Sequence, residues 1–101
     1  MKTVTLLNQS YQVNDRLEQF NINTTPSTSI AFYGSNPNTG SMFIQFVRGD
    51  TYIYQNITPE VRKGLWGASS IGSFISKNIV GKFPSEKLNS VGVSKIISQK
   101  W

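Results

Sequence analysis

Tyr52-Ile53-Tyr54-Gln55-Asn56-Ile57-Thr58-Pro59-Glu60-Val61 is the stretch in which the chain turns from strand to helix, and its reading decides the fold. In its first half the tyrosines stand two apart, so on a strand they project from the same face, with Ile53 on the other. In its second half Thr58 is a good N-cap. Pro59 fills the first helical position, where its missing N–H costs nothing, and Glu60 sets a negative charge against the positive end of the helix dipole. The spacing predicts a helix to about Trp66 that turns Val61, Leu65 and Ala68 to the core and leaves Arg62 and Lys63 toward solvent or a ligand.

Working upstream, Ser29-Ile30-Ala31-Phe32-Tyr33 reads as a strand and residues 34–40, rich in Gly, Asn and Pro, as a turn. Residues 41–47 alternate Met42, Ile44 and Phe46 against Phe43 and Gln45, and Arg48-Gly49-Asp50 is a tight turn leading back into the strand that holds the tyrosines. Downstream, residues 67–70 break the helix. A second one runs from about Ile71 to Ile79, with Ile71, Phe74, Ile75 and either Ile79 or Val80 facing the core, until Gly81-Lys82-Phe83-Pro84 stops it. The expected fold class is α+β: a three-stranded antiparallel meander followed by two short helices, occupying residues 29–88. Residues 1–28 read as an appended extension with short strands near 3–7 and 11–13, a helical turn within 15–20 and a polar linker. Residues 89–101 are open between a further strand and a short amphipathic helix, and Trp101 suggests an anchor on a neighbouring subunit.

Composition restricts the chemistry. The 101 residues include no His and no Cys, which removes the commonest general base, the thiol nucleophile and the usual transition-metal ligands. Of the five acids, only Asp15 and Glu18 stand at helical spacing, and they read as a solvated face. A non-enzymatic protein with no metal and no cofactor is expected. The chain has no apolar run of the roughly 18 residues needed to cross a bilayer, and its N-terminal apolar stretch is broken by Asn8, Gln9 and Ser10, so a cytoplasmic protein is expected.

Charge is uneven along the chain. Residues 1–60 carry three basic side chains against four acids, a net −1, whereas residues 61–101 carry seven against Glu86 alone, a net +6. Such an excess attracts phosphates, nucleic acid or an acidic protein, or simply keeps a surface soluble. Candidate ligand-binding residues follow from its neighbourhood. Tyr52 and Tyr54 either stack bases from a sheet face or pack beneath the helices. Ser69 and Ser70 precede the second helix, where free amides favour an anion, and Ser70 is equally the N-cap. Lys77 and Lys82 flank that helix as phosphate partners or plain surface lysines. Trp66 lies beside Arg62 and Lys63, either as a stacking ring with cations or as a seal on the core or on an oligomer contact.

The order Tyr52, Tyr54, Pro59, Leu65, Ala68, Ser70, Gly72, Phe74, Ile79 and Lys82-Phe83 resembles the KTSC domain over roughly residues 28 to 88. That family is named for the C-terminal region of some lysyl-tRNA synthetases and also occurs as small free-standing proteins, many of them in phages. The chain departs from the family pattern at Ser76, where Asn is frequent, at Val80, where Arg is frequent, and in having Phe74-Ile75 as its aromatic pair. The resemblance implies the fold and a free-standing phage-type protein, acting in the host cytoplasm if phage-encoded. Joined to the charge, it leads to the expectation of a homo-oligomer that sequesters a cyclic oligonucleotide immune signal or another small nucleotide. An RNA-binding module and a protein-interaction subunit or inhibitor are the alternatives.

Overall fold

The computed structural model describes residues 2–96; the expectation for Trp101 lies outside them. Strands β1 (Lys2–Leu6) and β2 (Gln9–Val13) form a hairpin, followed by a 3₁₀ turn at Asp15–Leu17. Then come β3 (Asn23–Thr24), β4 (Ile30–Ser35), β5 (Met42–Phe46) and β6 (Thr51–Tyr54). Helices α1 (Pro59–Trp66) and α2 (Ile71–Asn78) follow, and β7 (Ser85–Lys87) and β8 (Val93–Lys95) complete the order. All strand pairs are antiparallel. They make a five-stranded sheet ordered β3-β4-β5-β6-β7 and a three-stranded sheet ordered β1-β2-β8. The protein is thus a small α+β domain with two helices and two antiparallel sheets.

The helices begin where their caps dictate. Thr58 Oγ1 accepts from Val61 N at 3.3 Å with Pro59 in the first turn, and Ser70 Oγ accepts from Ser73 N at 3.3 Å. Their apolar stripes, with Leu65, Ile75 and Ile79 buried, cover one face of the large sheet through Ile30, Met42, Ile44 and Tyr54. Ile79, fully buried, takes the core position, and Val80 at 36% exposure does not.

The opposite face of the same sheet, on which Ile53 stands, is buried too. Ile53 and Phe43 pack against Val13, Leu17, Phe20, Leu88 and Val93. Residues 1–28 are therefore no appendage: Val13, Leu17 and Phe20 belong to a second core, and β3 joins the large sheet. The ambiguous C-terminal segment contributes a strand, β8, whose Val93 faces the same core. At the sheet edge, Arg16 Nη2 donates to Glu86 Oε1 at 2.6 Å, and this pairing holds the Glu86 carboxyl below the usual carboxylate range.

Candidate functional site

On the helix side of the large sheet, the loop of residues 25–29 runs past the start of α2. The first amides of a helix have no partner inside it; here Ser70 Oγ takes that of Ser73, while Ile71 is half-buried and Gly72 buried. Gly72 lets the loop come close: a Cβ at this position would lie 2.5 Å from Ser27 Oγ. Ser27 is held in place, because its Oγ accepts from the backbone amides of Ser29 and Ile30, both at 3.1 Å, and lies 3.3 Å from Ser29 Oγ.

Between loop and helix is an open cleft of about 610 Å³. Thr25, Ser27, Thr28 and Ser29 form its loop wall. The helix wall is Ser69, Ser70, Ser73, Ser76 and Lys77. Eight hydroxyl side chains and one cation thus line it, with no carboxylate. Ser27 and Ser70 are engaged in capping and turn bonds. The hydroxyls of Thr25, Thr28, Ser69, Ser73 and Ser76 make no hydrogen bond to any described residue, and Lys77 makes no ion pair with one. Across α2 a second, shallower depression of about 270 Å³ is lined by Ala68, Phe74 and Asn78. It shares Ser69, Ser70, Ser73 and Lys77 with the first.

The candidate residues read from the sequence separate into distinct places. Ser69, Ser70 and Lys77 come together in the cleft. Tyr52 and Tyr54 do not: they lie on the sheet face under the helices, and Tyr54 is only 4% exposed. Tyr52 sits edge-on to Phe46 with ring centroids 6.0 Å apart and 6.2 Å from Tyr54. Tyr54 is thus core, and Tyr52 is packed against it, partly buried. Burial, with a smaller contribution from Tyr52, raises the Tyr54 phenol above its usual range, so it stays neutral and supplies no charge.

Arg62, expected to face solvent or a ligand, is half-buried and donates through Nη1 to Ile57 O at 3.1 Å and Gly40 O at 3.3 Å. Through Nη1 its guanidinium ties the loop at Gly40 to the segment just before α1. Trp66 is 77% exposed, which rules out its sealing the core; the depression it shares with Arg62 holds only about 20 Å³, too little for a base. Lys63 and Lys82 are exposed and line neither depression beside α2.

Sequence reasoning missed the entire loop wall, which reads as a polar linker. It also missed Ser73 and Ser76. The signal was present in the second case: Ser69, Ser70, Ser73, Ser76 and Lys77 form a polar stripe at helical spacing, opposite the apolar one.

The sequence model of the KTSC domain matches residues 26–83, more than half of the chain. The chain belongs to the KTSC domain family. Among solved structures it is similar to a KTSC domain protein from Yersinia pestis, at 27% identity and a TM-score of 0.63, over 69% of this chain and 99% of that one. No curated protein matches. The KTSC segment holds α1, α2 and both walls of the cleft except Thr25, whereas β1, β2 and β8 lie outside it.

Proposed function

We propose that this KTSC protein is a non-enzymatic binding protein that sequesters a small phosphodiester ligand, most concretely a cyclic oligonucleotide, in the cleft between the 25–29 loop and α2. The observation that carries this reading is the lining of that cleft: hydroxyls that bond no described residue, and Lys77, without a carboxylate to repel an anion. A volume of about 610 Å³ also falls in the range of roughly 300–1,000 Å³ that takes ligands of this size. The highly exposed Trp66 supports a contact with a second copy, which size-exclusion chromatography with light scattering would report.

The cleft favours a compact ligand over an extended RNA strand because Lys77 is its single cationic lining residue. Single-stranded RNA binding weakens with salt at a logarithmic slope of about 0.7 for each phosphate neutralised, so a strand needs several cations along its path. A thermal-shift series with cyclic dinucleotides, cyclic trinucleotides, linear dinucleotides and a short single-stranded RNA, at low and moderate salt, tests the reading. At 100 times its dissociation constant a ligand stabilises the fold by about 2.7 kcal/mol, and each 1 kcal/mol moves a domain of this size by roughly 4–8 °C. A salt-tolerant shift with a cyclic nucleotide, abolished in Lys77→Gln, is expected. A steeply salt-dependent shift with RNA alone would replace this reading with the RNA one, and indifference to every nucleotide would end both.

A further inference from the structure

Resting on the nucleotide reading above, we infer that the depression on the far side of α2 is a nucleobase subsite selective for adenine, with Phe74 as its stacking floor and Asn78 as its reader. The two depressions share Ser69, Ser70, Ser73 and Lys77 in their walls, so a ligand whose phosphate lies by Lys77 borders both. Their linings differ in chemistry. The first is hydroxylic and suits phosphate and sugar. The second supplies an aromatic ring, the Ala68 methyl group and one carboxamide.

Phe74 is well seated for this task. It is half-buried, and its ring lies across Gly64 of α1 so closely that a Cβ there would come within 2.7 Å of Phe74 Cζ. The tip of the ring is held by the helix contact while the residue still lines the depression. Bases stack on such a platform whatever their identity. Asn78 adds discrimination. Its Nδ2 donates to Phe74 O at 3.1 Å, which fixes which way round the amide sits, since an oxygen there would oppose the carbonyl. The Oδ1 and the second Nδ2 hydrogen remain as an adjacent acceptor and donor. That pair matches the amino group and ring nitrogen N7 of adenine, whereas the same edge of guanine offers two acceptors.

The test measures binding of cyclic diadenylate, cyclic diguanylate and cyclic diuridylate by calorimetry to the full chain, to Asn78→Ala and to Phe74→Leu. The wild type is expected to favour cyclic diadenylate by roughly tenfold or more, the discrimination one bidentate amide supplies. Asn78→Ala, at an exposed helix position, should remove that preference while retaining binding. Phe74→Leu, which keeps an apolar group over Gly64, should weaken all three ligands by about fivefold or more, as loss of one stacked base does. Equal binding of the three by the wild type, or affinities unmoved by both variants, would overturn the subsite while leaving the phosphodiester cleft standing. Failure of the wild type to bind any of them, with Lys77→Gln indistinguishable from it, would overturn both.

Discussion

Gly72 is the residue on which the cleft most depends. A methyl group there would meet Ser27 Oγ at 2.5 Å, and Ser27 cannot withdraw without giving up two backbone hydrogen bonds. Gly72→Ala should therefore push the 25–29 loop off α2. The expected cost is about 1–3 kcal/mol in urea denaturation, the range for forcing extra volume into a packed site. The nucleotide-induced thermal shift should vanish at the same time, and retention of both stability and shift would show that the loop does not form the wall. Ser70 was visible in the sequence as a helix cap, because capping is local. Ser27 and Thr28 were not, since nothing within a few residues of them signals a helix some 45 positions away in the chain. Arg62 was misread for a related reason: helical spacing placed it off the apolar stripe, but its acceptors, Gly40 O and Ile57 O, are supplied by turns outside the helix.

At the scale of elements, β5 shows how a strand acquires two cores. Met42 and Ile44 face the helices, while Phe43 and Gln45 face the small sheet, and all four are buried. Gln45 makes this possible with a polar side chain. Its Nε2 donates to Val93 O at 3.0 Å and its Oε1 accepts from Val93 N at 2.7 Å, so one amide imitates a strand pair and fixes β8. Thr51 Oγ1 adds a third bond, accepting from Gly92 N at 3.1 Å. In the sequence, Gln45 is legible only as standing with Phe43 on the face opposite Met42 and Ile44, because alternation reports faces and not what covers them. Gln45→Leu keeps the bulk but leaves both backbone groups of Val93 without their partner. The expected loss is about 1–3 kcal/mol, the cost of unsatisfied buried polar groups, with faster hydrogen exchange at the Val93 amide. Unchanged protection at Val93 would mean that β8 is held by β2 alone.

For the whole molecule the consequence is that the layer outside the KTSC match supports the layer within it. Residues 26–83 alone would present Phe43 and Ile53 on an uncovered sheet face. The layer reads as an appendage in the sequence because its contribution rests on only three apolar anchors, Val13, Leu17 and Phe20, in an otherwise polar stretch. Full burial of each contributes about 1.5–3 kcal/mol. Together that is a large share of the roughly 5–15 kcal/mol by which a domain of ordinary stability stays folded. A fragment beginning at residue 23 should therefore lose cooperative unfolding or hide the bare face by self-association, seen as a rise in mass by light scattering and as binding of a hydrophobic dye. The full chain carrying Val13→Asp, which puts an unpaired charge into the same core, should fail in the same way. A monomeric, dye-silent fragment with a sharp thermal transition would mean that the helix-side core suffices, and that the small sheet is ornament on a self-sufficient KTSC domain. The cleft lies on the helix side, so the fragment also separates two roles: if it self-associates yet still shifts with a cyclic nucleotide, the added layer serves the fold and not the site.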